Sequence, residues 1–187
     1  LDGVTGVQTC ALPIFRRKNT EDDPSTVSAE DSGGAPSPDD EIFEGAELSV
    51  VPLDSSLVMY TDGASRGNPG PAGIGIVIYD SDNRQVGKVS APIGVQTNNF
   101  AEYTALIRAL RIGRYFRVRM LKIRTDSELV VKQIRGEYKV NHENIKGLYA
   151  EAMRLKKGFS SCRIEHVTRN LNDKADYLAK KASEMNR

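Results

Sequence analysis

Short apolar runs, separated by polar turn segments, organise the middle of the chain into strands. Residues 57–61 and 73–79 form two such runs, and residues 85–90 follow the next turn. The intervening segments are rich in glycine, asparagine and aspartate, which are typical of turns between neighbouring strands. This spacing predicts three antiparallel strands joined as a meander.

The pattern changes to helical spacing after the third strand. Apolar side chains recur every three or four residues from Phe100 to Leu110, which is typical of an amphipathic helix. Thr97 or Asn98 is suited to cap the start of this helix, and Gly113 is suited to end it. We therefore expect the first helix here.

Strands and helices then follow each other to the C-terminus. We expect strands at 120–124 and 163–167 and helices at 128–134, 144–157 and 172–183. The resulting order, βββαβααβα, predicts an α/β fold with a five-stranded mixed sheet flanked by helices.

The N-terminal part differs in composition from this patterned region. Residues 1–56 hold 3 basic and 12 acidic side chains, whereas residues 57–187 hold 23 and 13. Residues 16–54 are poor in large apolar side chains, so we expect a disordered acidic tail or linker. Residues 1–15 contain a stretch similar to the translation of a common sequencing-library adapter, and we expect an artefact there. The predicted domain covers residues 55–187.

Charge and composition narrow the class of function. The basic excess in residues 57–187 favours a polyanionic partner such as nucleic acid, although an inert basic surface stays open. No apolar run approaches the roughly 18 residues of a membrane span. The two cysteines, Cys10 and Cys162, do not indicate a disulfide framework. We expect a cytoplasmic protein without membrane association, and a monomer.

Four carboxylates stand where the predicted topology can bring them together. Asp62 and Asp126 directly follow strands, Glu102 lies early in the first helix, and Asp176 lies in the last. In open α/β sheets, sites form at the carboxyl ends of strands. Each acid also has an ordinary explanation. Glu102 suits an exposed first turn, Asp126 a helix cap, and Asp176 an ion pair with Lys180.

Four carboxylates in one site need raised pKa values or a bound cation, because like charges about 4 Å apart repel by about 1–4 kcal/mol per pair. No cysteine and histidine cluster indicates zinc, and oxygen ligands favour Mg²⁺ or Mn²⁺. Four carboxylates suit two such ions, and two ions support in-line displacement at phosphorus.

The sequence blocks around these acids resemble type 1 ribonuclease H. The blocks are Thr61-Asp62-Gly63-Ala64 with Gly67-Asn68-Pro69-Gly70, Thr97-Asn98-Asn99-x-x-Glu102, Thr125-Asp126-Ser127 and Asn172-x-x-Ala175-Asp176. They occur in the family order and cover about residues 56–185. The resemblance implies a ribonuclease H-like fold. It also implies an endonuclease that cuts the RNA strand of RNA–DNA hybrids with two Mg²⁺ ions, or with Mn²⁺ as a substitute.

The same resemblance implies roles for individual residues. The catalytic and metal-binding residues would be Asp62, Glu102, Asp126 and Asp176. Hybrid-binding residues are expected at Gly63, Gly67, Asn68, Asn98, Asn99 and Ser127. An asparagine can donate to and accept from a 2′-hydroxyl, which distinguishes RNA from DNA. Contacts of this kind carry little base information, so we expect largely sequence-independent cleavage.

The segment between the two middle helices departs from the family pattern. Many members carry a basic, tryptophan-containing handle there, whereas residues 135–141 are few and the chain has no tryptophan. Binding of the hybrid must then depend on scattered cations, among them Lys132, Arg135 and Lys139. We expect weaker and strongly salt-dependent binding, because phosphate contacts release counterions.

The histidines are less informative than the acids. His166 lies at the offset of a family histidine that assists product release or proton transfer, but residues 163–167 have the pattern of a strand. A catalytic role and a structural role both stay open for His166. His142 falls in a predicted loop, where we expect it to be solvated.

Two other functions compete with a free-standing ribonuclease. The chain can be the nuclease portion of a retroelement polyprotein or fusion, or a catalytically inactive hybrid-binding module on the same fold. The presence of all four carboxylates argues against the inactive module. A cleavage assay with labelled hybrid and Mg²⁺ separates binding from catalysis.

Overall fold

The computed structural model describes residues 42–49 and 56–185. Its strands are β1 (Ala46–Leu48), β2 (Ser56–Ser65), β3 (Gly70–Tyr79), β4 (Gln85–Gln96), β5 (Met120–Thr125) and β6 (Ser161–His166). Its α-helices are α1 (Asn98–Tyr115), α2 (Glu128–Ile134), α3 (Glu143–Lys156) and α4 (Asp173–Glu184). A 3-10 turn, Arg169–Leu171, precedes α4.

The described strands form one mixed sheet in the order β1-β4-β3-β2-β5-β6. β2, β3 and β4 are the predicted antiparallel meander. β5 pairs parallel with β2, and β6 pairs parallel with β5. The predicted α/β class with a mixed sheet and flanking helices is therefore confirmed.

Side chains that alternate along the strands place helices on both faces of the sheet. Leu57, Met59 and Ile76 are buried in one core with Leu106 and Leu110 of α1, and α3 packs against α1 on this side. On the opposite face, α4 packs against β2, β3 and β4. Within the described ranges, none of the helices has the length and apolar character to cross a bilayer.

A sixth strand corrects the predicted strand count of five. β1 pairs antiparallel with β4, with Ala46 opposite Val89, and the ring of Phe43 lies 4.8 Å from that of Tyr115. The prediction of a disordered tail is thus wrong for these residues, and the predicted domain start at residue 55 is too late. The remainder of the predicted tail and the adapter-like stretch lie outside the described residues.

The other differences concern the ends of elements. β2 continues through Asp62 to Ser65, whereas the sequence predicted that this strand ends at Thr61. β4 extends to Gln96, well beyond residue 90. The start of α1 is as expected, because the Thr97 hydroxyl accepts a hydrogen bond from the Phe100 N–H at 3.3 Å.

Candidate active site

The four acids predicted to act together line one cleft of about 420 Å³. Asp62 comes from β2, Asp126 follows β5, Glu102 lies in α1 and Asp176 lies in α4. Four separate elements therefore contribute one carboxylate each. Other residues on the cleft wall are Gly63, Ala64, Ser65, Arg66, Asn98, Arg169, Lys180 and Ser183.

Gly63 permits the close approach of α1 to β2 that brings Glu102 to the cleft. A Cβ atom on Gly63 would overlap the backbone of Ala101 and Glu102. Only glycine leaves room for this contact between strand and helix. The glycine that follows Asp62 is therefore a packing requirement of the site, whatever else it contacts.

Asp62 is the most strongly perturbed acid of the cleft. It is 8 % exposed, and burial raises its pKa to about 8, with further contributions from the charges of Asp126, Asp176 and Glu102 and a hydrogen bond with Asp126. Without a compensating cation, Asp62 therefore keeps its proton at neutral pH. This side chain experiences the combined negative potential of the site.

Glu102 is held by two hydrogen bonds from neighbouring elements. The Ser127 hydroxyl donates to Oε2 at 2.6 Å, and the Asn98 side-chain amide donates to Oε1 at 3.1 Å. Burial raises the pKa of Glu102, and these two hydrogen bonds oppose the increase. Ser127 also caps α2 by accepting from the Val130 N–H, so it fixes α2 and Glu102 at the same time.

Asp126 is positioned by Asn172, which is 1 % exposed. The Asn172 amide nitrogen donates to Asp126 Oδ1 at 2.7 Å and to the Thr61 carbonyl at 3.0 Å. Both partners are acceptors, so a carboxylate could not replace this amide without repulsion. The start of α4 is thereby fastened to β2 and to the loop after β5.

Asp176 pairs with two cations. Lys180 Nζ lies 2.6 Å from Oδ2, and Arg169 Nη2 lies 3.0 Å from Oδ1. Burial opposes ionisation, but the hydrogen bonds and charges of Lys180 and Arg169 lower the pKa of Asp176. The sequence offered the Lys180 pair as an ordinary explanation for Asp176, and that contact is present. Asp176 nevertheless lines the cleft.

The cleft has the donor chemistry for a hard divalent cation. Its acids are oxygen donors. Burial and the charges of the neighbouring acids raise the pKa of Asp62, and a bound cation would oppose this increase. In the described part of the chain, no group of three or more acidic, cysteine or histidine side chains is arranged as a ready metal site. The hydrogen bonds just described direct the carboxylates towards protein partners instead. The residues fit a divalent ion by chemistry, provided that these side chains exchange partners on binding.

The predicted hybrid-binding residues Gly67, Asn68 and Asn98 come together beside the acids. Asn68 Oδ1 accepts a hydrogen bond from the Asn98 N–H at 3.2 Å, which ties the β2–β3 turn to the start of α1. Gly67 has φ +128°, a value that favours glycine. Asn99 lies next to them, and its buried Oδ1 accepts no hydrogen bond from the described residues.

Other predicted residues lie outside the cleft wall. Lys132 pairs with Glu128 at 2.7 Å, and Arg135 and Lys139 are exposed in the segment after α2. His166 is exposed at the end of β6, opposite Thr125. The structure does not bring His166 to the wall of the cleft.

The sequence did not predict that Arg169 contacts Asp176, and it assigned no role to Asn172. Arg169 is in the 3-10 turn before α4 and donates to Asp176, seven residues further along the chain. The 3-10 turn had no recognisable local signal. Asn172 belongs to a recognised sequence block, and its two acceptors, one of them 111 residues away, appear only in the folded chain.

The sequence of this chain is similar to a known family and to several of its members. The family described as reverse transcriptase-like matches residues 60–182. A ribonuclease HI from Halobacterium salinarum is 43 % identical over 123 residues, which are 66 % of this chain and 62 % of that protein. A bifunctional protein of Mycobacterium tuberculosis is 40 % identical over 67 % of this chain and 35 % of its own length. The chain therefore spans less than two thirds of these relatives.

A solved structure gives a match over nearly the whole of its chain. LC11-RNase H1 in complex with an RNA/DNA hybrid is 42 % identical, with a TM-score of 0.65, over 69 % of this chain and 97 % of that chain. The range matched by the family model, residues 60–182, includes all four acids of the cleft.

Proposed function

This chain belongs to the type 1 ribonuclease H family, and we propose that it hydrolyses the RNA strand of RNA–DNA hybrids with little dependence on base sequence. The observation that carries the proposal is the convergence of Asp62, Glu102, Asp126 and Asp176 from four elements on one cleft. The matched solved relative is itself bound to a hybrid, which supports this class of substrate.

We further propose that the four acids hold two Mg²⁺ ions, with Mn²⁺ as a substitute. When bound, such ions supply an activated water and stabilise the leaving oxygen. Asp62 would lose its proton on binding, because a cation offsets the burial and the neighbouring negative charges that raise its pKa. Glu102 and Asp126 are presented to the cleft by Ser127 and Asn172 respectively.

The cationic side chains of the cleft have a separate task. Arg66, Arg169 and Lys180 line it together with the acids. A phosphodiester that enters the cleft meets four acids, so positive groups are needed to admit it. Arg169 and Lys180 hold Asp176 in place, and their charge also lowers the cost of bringing a phosphate beside it.

Recognition of the hybrid is proposed for the rim formed by Gly67, Asn68, Asn98 and Asn99. The exposed Asn68 and Asn98 offer amide donors and acceptors of the kind that reads a 2′-hydroxyl. Gly63 acts in the packing of α1. Lys132, Arg135 and Lys139 would contribute phosphate contacts, which set affinity and its salt dependence.

A larger parent protein is the second candidate. The mycobacterial relative is named a bifunctional protein, and this chain spans 35 % of it. The nuclease activity would then be one function of a fusion. The inactive hybrid-binding module is less well supported, because all four acids line the cleft. Monomeric state and cytoplasmic location stay predictions, which gel filtration and cell fractionation would check.

Hydrolysis of a labelled RNA–DNA hybrid in Mg²⁺ tests the proposal. Asp62→Asn should lower the rate about 10³-fold or more, which is about 4 kcal/mol of transition-state stabilisation. Asp82→Asn removes one exposed carboxylate from the β3–β4 turn and should leave the rate unchanged. A wild-type chain that binds the hybrid without cutting it would contradict catalysis and support the binding module.

A further inference from the structure

The sheet face that carries Asp62 is only partly covered in the described part of the chain, because α4 packs mainly on β2, β3 and β4. α4 covers the upper part of β3, over Gly73 and Gly75. On β5, Leu121 and Ile123 point into the core, so Lys122 and Arg124 point to the opposite side. Their side chains are 37 % and 32 % exposed. We call the following residues the open face: Tyr60, Tyr79, Met120, Lys122, Arg124, Arg163, Glu165 and Lys174.

Two tyrosine rings form the centre of the open face. The rings of Tyr60 and Tyr79 meet edge to face with centroids 5.7 Å apart. Arg124 lies 5.5 Å from the Tyr60 ring and donates to its hydroxyl at 2.6 Å. Lys174 lies 5.7 Å from the Tyr79 ring and donates to its hydroxyl at 3.1 Å. The surface therefore presents ordered aromatic and cationic groups side by side.

The open face carries more positive than negative charge. Lys122 lies directly opposite Arg163 on β6, and like charges in that position destabilise a sheet. A lysine on an edge strand can prevent unwanted strand pairing, but Lys122 is on β5, which has neighbours on both sides. Among the residues named as the open face, Glu165 is the one acid beside four cations, and it lies 3.6 Å from Arg124 and 4.0 Å from Lys122.

The open face is continuous with the cleft. Tyr60 stands two positions before Asp62 on β2, so these two side chains are on the same face. Arg124 stands on β5 two positions before Asp126, which directly follows that strand. At about 3.3 Å per residue, Tyr60 lies about 7 Å along the strand from Asp62, and Met120 lies about 20 Å from Asp126. Met120 is 57 % exposed and ends the surface with an apolar group.

We propose that the open face binds a single-stranded extension of the nucleic acid whose hybrid portion occupies the cleft. This inference rests on the proposed hybrid cleavage. A single strand offers unstacked bases to Tyr60, Tyr79 and Met120, together with phosphates to the cations. A duplex keeps its bases stacked and would use only the charges. The aromatic pair therefore favours a single strand.

Binding of three hybrids to the Asp62→Asn chain, which is expected to cut them about 10³-fold more slowly than the wild type, tests the proposal. One hybrid is blunt, and the others carry an overhang of about eight nucleotides at the RNA 3′ end or 5′ end. We expect one overhang to tighten binding about tenfold. Lys122→Glu with Arg163→Glu should remove most of that gain and leave blunt-hybrid affinity within about twofold. The neutral pair Lys122→Gln with Arg163→Gln should remove part of it.

The matched control is Arg154→Glu with Lys157→Glu, an equal change of charge at exposed residues of α3 and its C-terminal cap. This control should keep the gain.

The proposal is overturned if neither overhang improves binding, if the gain survives both changes at Lys122 and Arg163, or if a double-stranded extension gives an equal gain. Failure of the wild-type chain to cut a blunt hybrid would refute the proposed activity instead. If the wild-type chain does not cut, the binding of a free single strand is measured instead. Binding that is lost when Lys122 and Arg163 are changed would support a single-strand site on the open face. No binding of the free strand would refute that site.

Discussion

Replacement of Asp62 by asparagine is expected to stabilise the metal-free protein, and the gain should grow with pH. In the native state, burial and neighbouring charges raise the pKa of Asp62 to about 8 from an ordinary value of 3.8. Between these values, the native state retains a proton that the unfolded state has released. Stability therefore falls as pH rises from about 4 to about 8. Asparagine does not titrate, so this loss disappears in the variant.

The size of the effect follows from the same shift. One pKa unit corresponds to 1.36 kcal/mol, and a shift of about four units gives an upper limit of about 6 kcal/mol. Partial relaxation of the cleft reduces this value, so we expect a gain on the order of 3 kcal/mol at pH 8 and little gain near pH 4. Asparagine can also donate to Asp126, as the protonated Asp62 does, so the packing of the site is retained.

Urea unfolding with a chelator present, at about pH 4, 6 and 8, measures the difference between variant and wild type. Other titrating groups are common to both proteins and largely cancel. Asp82→Asn, at an exposed turn position, should show no pH-dependent gain. Excess Mg²⁺ should stabilise the wild type at pH 8 more than the variant. A gain that is equal at all three pH values, or a loss at pH 8, would refute the account of Asp62.

Three further predictions test the framework of the site. Gly63→Ala should destabilise the chain by about 1–3 kcal/mol and lower cleavage, because the new Cβ displaces α1 and Glu102; Gly147→Ala in α3, where a Cβ has open space, should instead stabilise by about 0.5–1 kcal/mol in the same thermal unfolding assay. Asn172→Ala should cost about 1–3 kcal/mol and weaken Mg²⁺ binding measured by calorimetry, and an unchanged Mg²⁺ affinity would show that Asn172 does not orient Asp126. Hybrid affinity should fall steeply with salt, and replacing Arg135 and Lys139 by glutamine should reduce the slope of log affinity against log salt by about 2. A nearly flat plot for the wild type would contradict dependence on phosphate contacts.

The sequence predicted most of the fold because its information is local. Apolar periodicity and turn residues identified the meander and the four helices within a few residues. The four sequence blocks placed Asp62, Glu102, Asp126 and Asp176 in one site, and the cleft contains all four. Thr97, one of the two caps predicted for the first helix, does cap α1, whereas Ser127 rather than Asp126 caps α2.

What the sequence did not predict depends on contacts between distant residues. Strand β1 has only three residues, too few for a recognisable alternation of apolar and polar side chains. It is a strand because it pairs with β4. The continuation of β2 past Asp62 depends on pairing with β3 as far as Ser65. The approach of Arg169 to Asp176 requires the 3-10 turn to reverse the chain before α4. His166 is exposed at the end of β6 and does not line the cleft, so its catalytic role stays a prediction.

The pairing of β1 with β4 has a practical consequence for the limits of the domain. The family match begins at residue 60, so trimming the chain to that match would remove β1 and leave the backbone of β4 without a partner along its outer side. Exposed strand edges invite association between copies. A soluble, monodisperse preparation should therefore retain the chain from Ile42 onward, even though residues 42–59 lie outside the family match.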